Sequence, residues 1–556
     1  MRSLPALVLA CMFILPAFCY GEDIREAGLN KGIKNNEAYS YLLIRKADEN
    51  SKESVHLLRE AMNASPDLPA VYFRMAKESI APSYMGLFQT VNYTIEGILA
   101  YARNFWWAFT LSGSLLFSIV LSLISAVTVI VLMRLPADIP LFAHDAAEVK
   151  YLLLLLVLLI ALSAVSPLLF LAGMLFLSGI YMKRYDRIVV YIFLVFLLFS
   201  PLFFRAASVY LNAFSSAELK GAVEVNESKG NRYALAVLKD RESFPSVFSY
   251  ALALKREGMY AEAVSEYKGL LQNHTDPRAH VNIGNSYVGL KNLESAAASY
   301  LKAAEIEPLP SAYYNLSQIS RELFEFQKGN EYFKKALDLD REAVTGYRMI
   351  YSRHPNRIVV DETLGHTALW RIAMDDSGDV STFGASVLPP AVISGSAVLL
   401  IFFYFLLNHT FSEKAYRCKR CSVVLCPRCE NRLTWGSMCH SCYASLIKLD
   451  ELEVKERVAR LLSIHGHQKK RRSIMKVLSF ILPGLSQIYA GNILAGFSFL
   501  WPFLFFLFLP VTNAVCAGGG VFYAHSFFTW AAFFLAAFIY VIANILTRQR
   551  IKKGWL

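Results

Sequence analysis

The sequence predicts an all-α chain that crosses a membrane several times and carries an α-solenoid together with a small cysteine-rich module. Three observations predict it. Long runs without a charged residue recur along the chain, which is 55% hydrophobic and 18% charged with a mean hydropathy of +0.37. That is too apolar for an ordinary soluble domain. Aromatic and small residues return every 33 residues between residues 243 and 343, as at Tyr267, Tyr300 and Phe333. Six of the nine cysteines fall between Cys418 and Cys442.

Residues 1–21 read as a secretory signal: Arg2, an apolar run from Leu4 to Phe18, then small or polar residues before Glu22 and Asp23. Residues 22–104 are polar and helix-rich. Leu58, Ala61, Tyr72, Met75 and Ala76 recur there at helical spacing around a turn containing Pro66, which predicts one helix-turn-helix unit.

Residues 105–205 predict four membrane spans. Phe105 to Met133 holds no charged residue, opens on Trp106 and Trp107, and is closed by Arg134. The next uncharged run, Tyr151 to Met182, would reach about 48 Å as one helix, against a hydrocarbon core of about 30 Å. Ser166 and Pro167 in its middle predict two short helices instead. Ile188 to Phe204 supplies the fourth span, and residues 391–408 a fifth beyond a linker at 345–388. In the C-terminal membrane domain, 474–547, Leu494 to Pro510 and Phe527 to Leu546 are the full spans, with Val477 to Tyr489 interfacial or re-entrant.

The net charge of +12 collects beside these segments. Lys183, Arg184 and Arg187 flank one turn, Lys414, Arg417, Lys419 and Arg420 precede and enter the cysteine cluster, and Lys469 to Arg472 close a basic amphipathic helix at 450–473. Arg548, Arg550, Lys552 and Lys553 form a basic tail, 548–556. Cytoplasmic loops are enriched in Lys and Arg, so this pattern predicts a bacterial inner-membrane protein. With residues 22–100 exported, four spans return residues 206–388 to the periplasm and leave the thiols in the reducing cytoplasm.

In the periodic stretch, Ala263, Ala296 and Gly329 share one position; Leu270, Ala303 and Ala336 another; Tyr250, Ile283 and Leu316 a third; and Ala251, Gly284 and Ser317 a fourth. Small residues let paired helices approach, while Tyr267, Tyr300 and Phe333 fill the gap to the next hairpin. These columns resemble the tetratricopeptide repeat family, with units at 243–276, 277–309 and 310–343. The middle unit fits best, through Gly284, Tyr287, Ala296, Tyr300, Ala303 and Pro308. The helical unit before residue 105 is similar in part. The resemblance implies a concave groove that binds protein or peptide partners, or that is filled by the chain's own residues 345–388.

The cysteines form three pairs: Cys418 and Cys421, Cys426 and Cys429, and Cys439 and Cys442, with His440 inside the last. Each Cys-x2-Cys turn aims two thiolates at one point, and two turns complete a tetrahedral zinc shell. The module at 409–449 therefore predicts one or two zinc ions and resembles zinc-ribbon and treble-clef modules. The outer pairs could close one site, leaving Cys426 and Cys429 to recruit His440 or another group. An iron–sulfur cluster is the competing reading. Residues 409–473 carry 14 Lys and Arg against six Asp and Glu, so nucleic-acid binding is a live alternative to a structural module beside anionic lipid.

Pro483, Gly484, Gln487, Tyr489 and Gly491 resemble the PGxGQxYxG signature of small bacterial two-helix membrane domains, with Ser486 where the signature has glycine. Its glycines imply tight turns and close helix contact, and its polar side chains imply bonds to freed backbone groups. No HExxH, GxxxxGK or GxSxG motif occurs, and the spans hold no Asp, Glu, Lys or Arg. That argues against an enzyme and against a proton-coupled transporter. The sequence therefore predicts a non-enzymatic, membrane-anchored scaffold. Its rival is a sensor whose zinc module contacts nucleic acid or a signalling protein.

Overall fold

The structure is a computed structural model. It describes residues 28–50, 52–148, 157, 166–353, 358–375, 389–410, 414–418, 420–426, 433–435, 438–446, 454–516 and 526–553. The expected signal, Cys429 and all but Val157 of residues 151–165 lie outside the described residues. The chain divides into two compact units, one made of Met1–Thr110 with Leu211–Gly378, the other of Leu111–Tyr210 with Asp379–Leu556.

The first unit is a stack of helical hairpins. The three repeats pair Phe244–Arg256 with Tyr260–Asn273, Pro277–Gly289 with Leu293–Ile306, and Pro310–Glu322 with Phe326–Leu339. Proline opens the first helix of the last two, where a missing N–H costs nothing and the ring presets φ. The inter-helix turn passes through left-handed backbone at the same repeat position each time, at Gly258, Lys291 and Phe324, with φ of 88°, 59° and 60°. The N-terminal hairpins, Glu37–Glu49 with Ser54–Ala64 and Pro69–Glu78 with Tyr84–Arg103, belong to the same unit. Polar contacts join them to the later segment. Lys31 Nζ lies 2.5 Å from Glu257, Lys229 Nζ lies 2.9 Å from both Glu37 and Glu227, and Asn35 donates to the Glu227 carbonyl.

The long apolar helix Phe105–Glu148, most of which lies in the second unit, runs unbroken through Pro136 and Pro140. The charge at Arg134, read from sequence as the end of the span, does not end the helix, and its guanidinium pairs with Asp138 one turn on. The expected break at Ser166 and Pro167 is present: Ser166 is extended and the helix Pro167–Ile180 starts after it. At 14 residues that helix covers about 21 Å, short of a bilayer core. The expected span from Ile188 to Phe204 is instead two helices, Ile188–Leu198 and Ser200–Ser215, bent by 58°. Pro201 supplies the reason, since it removes one backbone donor and its ring collides with the preceding turn.

Among the described residues, three helices are long and apolar enough to cross a membrane: Phe105–Asp145, Ile493–Cys516 and Phe528–Lys552; the bent pair would make a fourth. Pro167–Ile180 and Ala391–Leu406 are shorter apolar helices. One hydrophobic core of this unit includes Val127, Ile130, Phe176, Phe193, Tyr404, Ile488 and Leu500. Small polar side chains tie Phe105–Glu148 to Ile493–Cys516: Ser118 with Thr512 at 2.7 Å, Ser114 with Asn513 at 3.2 Å, and Trp501 donating to Ser122 at 3.0 Å. Hydrogen bonds of this kind join helices in lipid, where burial of apolar surface gives little drive. The basic helix does not stop near residue 473 but continues from Val454 to Ile481, absorbing part of the segment read as interfacial.

Candidate metal centre and repeat groove

The cysteine module is built on two short antiparallel hairpins and a helix. Strand β1, Tyr416–Arg417, pairs with β2, Val424–Leu425; β3, Leu433–Trp435, pairs with β4, Met438–Cys439; the helix His440–Leu446 follows. The first turn is tight, with Cys418 N–H donating to the Val423 carbonyl at 2.9 Å and Ser422 in left-handed backbone. It brings Cys418 and Cys421 to Cys439 and Cys442, whose four sulfurs all lie within 4.8 Å of one another. Cys421 and Cys439 Sγ are 3.7 Å apart. A tetrahedron with zinc–sulfur bonds of about 2.3 Å has an edge of about 3.8 Å, so this donor set fits a structural zinc ion.

The thiols are tuned unequally. Burial raises the Cys418 pKa, but backbone N–H groups of Cys421, Cys439 and Arg420 aimed at its sulfur outweigh that and bring it down to about 7. Burial and the neighbouring sulfurs push Cys442 up, so a cation is needed before all four ionise. Ile464, from the long basic helix, packs on this cluster. Val454, Val458 and Leu462 of the same helix are exposed. His440 is exposed and outside both groups of convergent ligand atoms found among the described residues. Cys426 belongs to the second of those groups, with His144 and Asp145.

In the repeat groove the structure adds residues that sequence reasoning missed. An extended segment of the chain, Ile358 to Gly365, lies along it and is held by asparagine side chains. Asn315 accepts from Val360 N–H and donates to Val360 C=O, both at 2.9 Å. Asn282 does the same to Glu362, at 3.0 and 2.9 Å, and Asn226 accepts from Leu364 N–H at 2.7 Å. Alternate residues of an extended strand thus meet successive amides, the pattern by which an edge strand would be paired.

The amides are fixed from behind by the packing column. Asn282 donates to Tyr267 OH at 3.0 Å, and Tyr300 OH donates to Asn285 at 2.7 Å. Burial pushes both tyrosines well above their ordinary pKa, so they remain neutral phenols. Asp361 of the segment is clamped by Lys255 at 2.5 Å, Arg256 at 3.2 Å and Asn285 at 3.0 Å. The groove therefore reads an acidic, extended peptide, and the peptide is the chain's own. The signal was available in the sequence, because Asn282 and Asn315 stand one repeat apart.

The tetratricopeptide repeat family model matches residues 277–308 and 310–342. No curated protein matches the chain. Inside the matched tetratricopeptide pair the predicted columns lie in the core: Ala296 and Tyr300 are fully buried, as are Ala263 and Tyr267 in the preceding hairpin, while Phe333 is half-buried in the last. A Cβ at Gly284 would stand 2.4 Å from the Tyr300 ring, which explains the glycine. Beside the groove lies a polar cavity of about 300 Å³. Its lining includes Arg103, paired with Asp67, Arg256, paired with Asp361, and Glu227, paired with Lys229. Such pairing is structural in character.

The C-terminal motif is a close turn between helices. Gly484 has φ 91°, and a Cβ there would meet the Gly496 carbonyl oxygen at 2.2 Å. Gly491, φ 83°, starts the turn into Ile493–Cys516. Gln487 is buried and donates to Thr547 at 2.7 Å, and Ser486, the departure from the signature, donates to the Met475 carbonyl. Pro483 precedes the turn and Tyr489 ends its short helix, Leu485–Tyr489.

Proposed function

We propose that the chain is a non-enzymatic membrane scaffold, with a periplasmic tetratricopeptide solenoid and a cytoplasmic zinc module in a bacterial inner membrane. One observation carries the sidedness. Residues 28–104 and 211–375 pack as one unit through half-buried polar contacts such as Lys229 with Glu37, which supports an even number of crossings between two stretches on the same side. Four crossings satisfy that condition; three do not. Positive loops and the reducing environment that zinc thiolates require support the cytoplasm for Cys418 to Cys442. Tetratricopeptide repeats suggest protein partners. Here the groove is engaged in cis, so a partner either takes the outer surface of the hairpins or displaces Ile358 to Gly365.

The test is compartment labelling of the full chain. Single exposed cysteines at Lys328 and at His465, read with a membrane-impermeant maleimide in intact spheroplasts, should react at the first position only. Equal labelling at both would overturn the reading.

A further inference from the structure

We infer that His144, Asp145 and Cys426 form a second divalent-metal site that pins the cysteine module to the end of the first membrane helix. The imidazole nitrogen, carboxylate oxygen and sulfur all lie within 4.8 Å of one another. His144 Nδ1 and Asp145 Oδ1 are 3.7 Å apart. Ligands around a tetrahedral ion at about 2.0–2.3 Å stand about 3.3–3.8 Å apart, so these atoms need close only slightly. Asp145 and Cys426 are buried, at 3% and 2% exposure, where a bound cation would offset the cost of ionised ligands.

The carboxylate is also oriented in the manner of a ligand. Its Oδ2 accepts from Tyr181 OH at 3.0 Å and from Ala415 N–H at 3.1 Å, which leaves Oδ1 on the His144 side. Outer bonds of this kind hold a metal-binding carboxylate in place. The backbone around the site is braced as well: Arg417, beside Cys418, donates to the Ala137 carbonyl at 2.7 and 3.1 Å. An ion bridging Cys426 to His144 and Asp145 would close this joint covalently.

The mixed nitrogen, oxygen and sulfur set selects a borderline ion, zinc above all, over magnesium or calcium, which take oxygen. Three protein ligands leave a fourth position to water, in contrast to the closed four-cysteine set. Sequence separation hid the site: His144 and Asp145 lie far along the chain from any cysteine.

The inference rests on the module's being metal-binding, and the test separates the two. The full chain, purified in mild detergent from zinc-supplemented cells, is assayed for zinc per chain, and its cobalt-substituted form for absorption. Two equivalents are expected in the wild type, halved by Cys426→Ser and by His144→Ala, and halved also by Cys418→Ser with Cys421→Ser. His144 is partly exposed, so its removal should leave the helical circular dichroism intact. Cobalt in the Cys418/Cys421 variant should show a mixed nitrogen–sulfur spectrum that Cys426→Ser abolishes. One equivalent that only the Cys418/Cys421 variant removes overturns the second site and spares the first. No bound metal overturns both.

Discussion

Asn282→Ala tests whether the groove is held shut by its own segment. The substitution removes two bonds to Glu362, at 2.9 and 3.0 Å, and leaves a backbone N–H and C=O without their partners. Each such buried group costs about 1–3 kcal/mol when left unmade. The segment is only partly buried, so water recovers some of this and a total near the low end, about 2–3 kcal/mol, is expected. At about 1.4 kcal/mol per factor of ten, local opening of residues 358–365 should become roughly 30- to 150-fold more favourable. Amide hydrogen exchange on the full chain in detergent reads this directly. Val360, Glu362 and Leu364 should exchange faster, and the helix Leu293–Ile306 should not. Asn315→Ala should do the same through Val360, and the double variant should fall short of the sum, because a detached segment has no second bond to lose. Asn330→Ala, at an exposed position, should change nothing. Unaltered exchange at Glu362 in Asn282→Ala would refute the ladder.

Other predictions follow from single contacts. Gly284→Ala places a methyl 2.4 Å from the Tyr300 ring and should destabilise the first unit by about 1–3 kcal/mol, read as a lowered denaturation midpoint. Phe324, with φ 60° and 81% exposure, spends backbone strain for little packing, so Phe324→Gly should stabilise by about 0.5–1 kcal/mol. Burial raises the Glu362 carboxyl pKa above its ordinary value, so the seated segment favours its protonated form. The contribution is complete below the unfolded pKa and lost as pH rises through the folded one. Glu362→Gln should therefore slow exchange of residues 358–365 at pH 7, and the difference from wild type should vanish as the carboxyl protonates.

The period of the hydrophobic pattern made the solenoid legible, because packing columns such as Ala296 and Tyr300 are selected for size and recur. The asparagine ladder was less visible, since one polar residue per repeat does not register in a hydrophobic pattern and its partner strand, Ile358 to Gly365, has no periodicity. Spacing alone exposed the four-cysteine centre: a Cys-x2-Cys turn carries its geometry locally. Nothing local announces that His144 faces Cys426, because that depends on where the first helix ends. The continuation of that helix to Glu148 was not legible because the charge at Arg134 marks where the apolar run ends, which is not a helix boundary. The bend at Phe199 was readable from Pro201 but outweighed by uninterrupted hydropathy.

A groove filled in cis sets terms for any partner. A tethered segment competes at an effective concentration of about millimolar for a short linker. A partner peptide present at about micromolar must then bind the asparagine ladder roughly a thousand-fold more tightly than Ile358 to Gly365 does, or about 4 kcal/mol better. The ladder offers little room for that gain, because its bonds go to backbone atoms that every peptide shares. Discrimination has to come from the Asp361 pocket, where Lys255, Arg256 and Asn285 already make close contacts. A partner that first grips the outer hairpins escapes this limit, since it raises its own local concentration before the segment lifts. Such a partner should lose affinity on mutation of exposed hairpin residues while being nearly indifferent to Asn282→Ala, and a partner weakened chiefly at Lys255 or Arg256 would show that the groove itself is the docking site.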